Sequence, residues 1–226
     1  GSKVSLYIAD TSFAQNTAED VSVFQSYAGY YDATDTTQLD VTLTGVEVRS
    51  NLGDQAAFRM DAMDGGSFSL SVHDSVFDEN VSSAGVGPLD LRNTTTGAVA
   101  FVMDGTTLRG NQGNGGIVGI YSSTGVGSVT VTDSLFEDNL ALWGPKGVPW
   151  GRVLWPFDLP ATVSNTAFYR NTGGTFGVVS YVDSDGIVLD DVDFGTAADE
   201  NDGADVTGCD VSGVVSGAMF PPNSPC

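Results

Sequence analysis

Four aspartates, Asp10, Asp74, Asp133 and Asp191, recur at one position of a short motif, with acidic tracts such as "DEN" and "EDN" close behind. Calcium takes six to eight oxygen ligands, so aspartates brought into register would offer it a site, and Asp74 and Asp133 are the pair best matched in context. No segment has the spacing of an EF-hand loop or of the Gly-Gly-x-Gly-x-Asp calcium roll. Solvated turns are the simpler account of these carboxylates, so no cofactor is expected, calcium being the one ion they would suit.

Catalytic chemistry is poorly served. His73 is the single histidine, and in "SLSVHDS" it reads as an outward or corner residue of a strand. Nothing marks a nucleophile near it, and no His/Cys cluster exists for zinc. Asp190-Asp191 is a paired carboxylate without accompanying His and Arg/Lys motifs. An enzyme is therefore the less favoured reading, a carbohydrate-active one its most specific form.

Binding chemistry is concentrated in "LALWGPKGVPWGRVLWPFDLP", residues 140–160, which holds all three tryptophans, Trp143, Trp150 and Trp155, with the cations Lys146 and Arg152. Aromatic and cationic side chains on an otherwise polar surface suit a glycan or a protein partner. The competing reading is a loop whose indoles pack on their own base. A weaker aromatic group, Tyr27, Tyr30 and Tyr31, reads as packing of the first coil.

The elements that position these residues follow from repetition. "DTSFAQN", "GVEVRSN", "DSVFDEN", "GTTLRGN", "DSLFEDN" and "NTAFYRN" end at Asn16, Asn51, Asn80, Asn111, Asn139 and Asn171, about thirty residues apart. A degenerate seventh copy, "DVDFGTA", keeps Asp191 and Phe194 but has Ala197 in place of asparagine. A period of this length marks a solenoid, propeller or array. Gly, Thr, Val and Ser dominate the segments and alternate with period two, as in "SFSLSV" and "SVTVTD", which excludes helical repeats. The coils are too short for propeller blades and lack a leucine grid, so the pattern predicts a right-handed, single-stranded parallel β-helix of about seven coils.

In that register Phe13, Val48, Phe77, Leu108, Phe136, Phe168 and Phe194 form one inner column, and the asparagines a hydrogen-bonded column beside them. Asparagine is expected to take the left-handed corner of each coil. The position after the apolar column reads Arg49, Asp78, Arg109 and Glu137 on consecutive coils, an alternation of sign that supports the alignment. The solenoid is expected over residues 1–198, with an irregular cap over 199–226 closed by a Cys209–Cys226 disulfide, which implies an oxidising compartment.

With 29 acidic against 8 basic residues and a formal charge of −21, the chain lacks the basic stripe that nucleic acid requires and is unsuited to an anionic membrane. No apolar run is long enough to span a bilayer. The opening Gly-Ser reads as a cloning remnant on an excised fragment.

The tetrads "FAQN" (13–16), "FDEN" (77–80), "FEDN" (136–139) and "FYRN" (168–171) resemble the Phe-x-x-Asn repeats of the chlamydial polymorphic outer-membrane proteins and related surface proteins. That family's Gly-Gly-Ala-Ile motif is approached by "NGGIVGI" (114–120) and "NTGGTFGVV" (171–179). The resemblance covers about residues 4–198 and implies a β-helical passenger at the cell surface or outside the cell, commonly in adhesion. The expected function is a non-enzymatic surface or secreted module that binds a surface protein or a glycan. Alternatives are a carbohydrate-active or polysaccharide-binding domain and a structural spacer.

Overall fold

The computed structural model describes the chain except residues 1, 30–36, 64, 95, 143–150, 174–176, 181–185, 203–204, 208–210, 213–214 and 217–226. Trp143, Lys146, Trp150, Tyr30, Tyr31, Cys209 and Cys226 thus lie outside the described residues, and with them the expected disulfide.

Parallel strands stack as a β-solenoid. Its long face carries Lys3–Ala9, Gln38–Thr44, Ser67–His73, Val99–Asp104, Gly127–Thr132, Ala161–Tyr169 and Ile187–Asp193, each pairing in parallel with the next. Seven strands of this face are present among the described residues. Period-two alternation sends Val41, Leu43, Leu70, Val72, Phe101, Met103, Val129 and Val131 into a continuous buried core and their neighbours to water.

After a corner, the three-residue strands Ser12–Ala14, Glu47–Arg49, Val76–Asp78, Thr107–Arg109 and Leu135–Glu137 form a short face. Val48, Phe77, Leu108, Phe136 and Phe168 lie in register and are fully buried, with Phe13 half-buried at the end of the column. Phe136 stacks on Phe168 at 4.6 Å and Phe168 on Phe194 at 5.2 Å between ring centroids. Two-residue strands such as Val81–Ser82 and Gln112–Gly113 lead to the back face: Phe24–Ala28, Phe58–Ala62, Val86–Asn93, Gly116–Ser122, Leu154–Phe157, Val179–Ser180 and Val206–Thr207.

Each of the six complete copies of the motif turns twice through the left-handed region, and neither turn falls on the asparagine that closes the motif, although Asn165, which opens the sixth copy, does take it with φ of 46°. The first turn uses the residue that opens the motif, with φ of 48° at Asp10, 60° at Gly45, 48° at Asp74, 57° at Gly105 and 49° at Asp133. The second uses the residue before the asparagine: Gln15, Ser50, Glu79, Gly110, Asp138 and Arg170. The asparagine is instead committed to the interior, where its amide is worth more as a hydrogen-bonding group than as a tolerant turn residue.

Strand pairing does not stop at residue 198. Val206–Thr207 pairs with Val179–Ser180, while Val211–Ser212 and Val215–Ser216 both pair with Ile187–Asp193. In "DVTG", "DVSG" and "VVSG" a valine, Val206, Val211 and Val215, takes the first pairing position, so parallel pairing continues into the segment read from sequence as a cap.

Candidate functional site

Two columns of outward side chains cross the back face. Arg59, Asp90, Gly119 and Trp155 stand in one register; Asp61, Arg92, Tyr121 and Phe157 stand in the next. Within its strand Arg59 grips Asp61 through Nε–Oδ2 at 2.8 Å and Nη2–Oδ1 at 3.3 Å. Arg92 grips Asp90 through Nε–Oδ1 at 2.9 Å and Nη2–Oδ2 at 2.7 Å. Because the two pairs run in opposite order, charges of opposite sign also face each other across the strands. Asp90 is only 2% exposed, and burial pushes its carboxyl above the usual carboxylate range against the opposing pull of Arg92 and Arg59.

Next to this lattice the surface opens into a cavity of about 330 Å³ lined by Val86, Asp90, Arg92, Thr94, Gly119, Ile120, Tyr121 and Trp155. That volume lies at the small end of the range for ligand sites. Two local features make it. The pairing of Val86–Asn93 with Gly116–Ser122 shifts register between Val86 and Leu89, and such irregularities re-aim side chains. Val86 thereby comes over Gly119, where a Cβ would stand 3.0 Å from Val86 Cγ1. Glycine at 119 is what lets Val86 approach the strand so closely.

The opposite wall is aromatic. Tyr121 stacks on Phe157 at 4.9 Å, and Phe157 meets Trp155 edge-on at 5.6 Å. The guanidinium of Arg152 lies 4.2 Å from the centroid of the Trp155 ring. Arg152 is itself buried, and desolvation lowers its pKa to about 10. Trp155 Nε1 is buried and has no hydrogen-bond partner among the described residues.

Of the expected binding residues, the structure therefore brings Trp155 to the cavity and sets Arg152 behind it as a support. Asp90, Arg92 and Tyr121 were not singled out from sequence. A signal was present: "RMD" at 59–61 and "DLR" at 90–92 carry the same charges in opposite order, 31 residues apart, which is one coil.

The turn aspartates do not converge. Gly105 stands between Asp74 and Asp133 in the stack of corners, and a Cβ on it would lie 2.7 Å from Asp74 Oδ1. Asp133 instead accepts a hydrogen bond from Asn165 Nδ2 of the next rung. Among the described residues no group of three or more Asp, Glu, His or Cys side chains is placed to hold a metal ion. His73 points outward, with Nδ1 3.7 Å from Asp104 Oδ2.

The asparagine column forms as the register predicts, and it gains a member. Oδ1 of Asn139 accepts from both the backbone N–H and Nδ2 of Asn111, while its own Nδ2 donates to Asn171 Oδ1 and to the Leu108 carbonyl. The same set recurs from Asn51 to Asn171. The seventh amide is Asn201: four extra residues, including the 3-10 turn Ala197–Asp199, separate it from Phe194 relative to the other copies. Its Nδ2 also donates to Asp205 Oδ1, a buried carboxylate.

No protein-family model matches the chain, and no curated sequence matches it. Among solved structures, QnrB1, a plasmid-mediated fluoroquinolone resistance protein, aligns over 95% of this chain and 92% of its own at 11% identity and a TM-score of 0.18. A superposition that poor carries no statement about fold or function here.

Proposed function

We propose that the chain is a non-enzymatic ligand-binding module of an exported or surface-held protein, and that it binds through the back-face cavity. The observation that carries this reading is the meeting of Trp155 and Tyr121 with the buried Asp90–Arg92 pair around an open volume of about 330 Å³. Aromatic walls with a few convergent polar groups are the usual composition of a ligand site. The phenylalanine and asparagine columns, by contrast, face inward and serve the rod. The resemblance of the repeat to surface-protein passengers supports the location and a role in adhesion.

The test is a glycan array together with a panel of immobilised extracellular proteins, probed with wild type, Trp155→Ala and Tyr121→Ala. Wild type is expected to bind, and both variants to lose at least about tenfold in apparent affinity. Undiminished binding by both folded variants would remove the cavity from the account.

A second reading, hydrolysis of a glycosidic bond with Asp90 as proton donor, is favoured by the raised pKa of that carboxyl. Hydrolysis also requires an ionised carboxylate that reaches water or the sugar. Asp61 is the nearest candidate by register, and it is 5% exposed and held bidentately by Arg59. Binding is the reading the geometry supports better. Release of reducing ends from neutral polysaccharides by wild type, abolished in Asp90→Asn, would reverse that preference.

A further inference from the structure

We propose that the back-face cavity recognises an uncharged pyranose residue of a glycan, packed against Trp155 and Tyr121 and hydrogen-bonded through its hydroxyls to Asp90 and Arg92. This rests on the cavity being the binding site and adds the chemical class of the ligand.

Charge excludes the simplest alternatives. A carboxylated or sulfated sugar needs a cation whose charge is not already matched, whereas Arg92 pairs its Nε and Nη2 with Asp90 and keeps its remaining N–H groups as donors for uncharged oxygens. The formal charge of −21 adds long-range repulsion to any polyanion. A quaternary ammonium needs aromatic faces with no competing cation, and the Arg152 guanidinium lies 4.2 Å from the centroid of the Trp155 ring. Arg59 and Arg92 are matched by Asp61 and Asp90, so neither arginine of the lattice is left for an anionic ligand.

What it offers instead is a donor and an acceptor side by side. A carboxylate accepts and a guanidinium donates, and a sugar hydroxyl does both, so neighbouring hydroxyls can answer the two in one contact. Trp155 contributes its ring face, since its Nε1 is buried away from water and without a partner among the described residues. Val86 and the aromatic wall supply the apolar surface on which the C–H face of a pyranose packs. The absent side chain at Gly119 lets Val86 lie against the cavity floor as part of that apolar surface.

The test uses the full chain at neutral pH and saturation-transfer NMR with lactose, maltose and methyl mannoside as neutral probes, methyl glucuronide as the acidic one and choline as the cationic one. Transfer to at least one neutral sugar is expected, lost in Trp155→Ala and in Tyr121→Ala, each checked for fold by circular dichroism. Preferential transfer to the glucuronide or to choline, lost in the same variants, would overturn the sugar assignment and leave the cavity as the binding site. Neutral-sugar signals unchanged in both variants would overturn both readings, as would an absence of signal from every probe combined with array binding that survives both substitutions. Array binding only to non-carbohydrate partners, lost in the variants, would overturn the sugar alone.

Discussion

Asn139 uses every hydrogen-bonding position its amide has, and all its partners are buried. Replacing it by alanine strands the Asn111 N–H and the Leu108 carbonyl without water. At about 1–3 kcal/mol for each unsatisfied group, Asn139→Ala should lose on the order of 3–5 kcal/mol in denaturant unfolding. Asn16 sits exposed at the end of the same column, and Asn16→Ala should lose less than about 1 kcal/mol. Equal losses at the two positions would contradict the ladder as a buried, cooperative element. Asp90 makes a prediction of a different kind. Its carboxyl titrates higher when folded than when unfolded, so between those two values the folded state holds more proton and gains stability as pH falls. The stability of wild type relative to Asp90→Asn should therefore rise as pH is lowered from neutrality toward about 4, the unfolded carboxylate value, and level off below it. A flat difference across that window would show that the Arg92 pair cancels the burial penalty.

The rung is the unit in which the inner half of this protein was legible. Its phenylalanine, its asparagine and the charge that follows recur once per coil, so the columns of Phe77–Leu108–Phe136 and of Asn51 to Asn171 are written directly in the spacing. The sign alternation is borne out in contacts: Asp78 lies between Arg49 at 3.6 Å and Arg109 at 3.1 Å. Beyond that point the alternation breaks, because Glu137 turns to Arg170, which also holds Asp138 and Asp199. Asn201 escaped the spacing rule because a short 3-10 turn lengthens its coil. The left-handed corners were misassigned because asparagine tolerates that conformation in general, whereas here burial claims its side chain. Phe136→Ala tests the stacked end of the aromatic column, where the ring lies 4.6 Å from Phe168 at an interplanar angle of 16°. A loss of about 3–5 kcal/mol is expected on chemical unfolding, since Leu108 on one side and Phe168 on the other cannot both collapse into the void. A loss under about 1 kcal/mol would mean that the column is not close-packed.

At the scale of the whole molecule, the outer surface of the described residues opens at the back-face cavity, where aromatic and charged walls meet. The cavity draws on strands from three successive coils, Val86–Asn93, Gly116–Ser122 and Leu154–Phe157, and none of its residues belongs to the repeated motif. That is why the spacing of the Phe-x-x-Asn motif did not find it, and why the tryptophan-rich stretch pointed only to one wall. The paired strands in parallel register hold those walls at a spacing set by the backbone, so the site is built before any ligand arrives. The most direct measurement is a heteronuclear NMR titration of the labelled chain with a neutral sugar that binds it, following the Trp155 indole N–H, assigned by its loss in Trp155→Phe. The account predicts that this resonance moves together with the amides of Asp90, Arg92, Gly119 and Tyr121. Shifts confined to the long face or to the ends of the rod, with the Trp155 resonance unmoved, would contradict it.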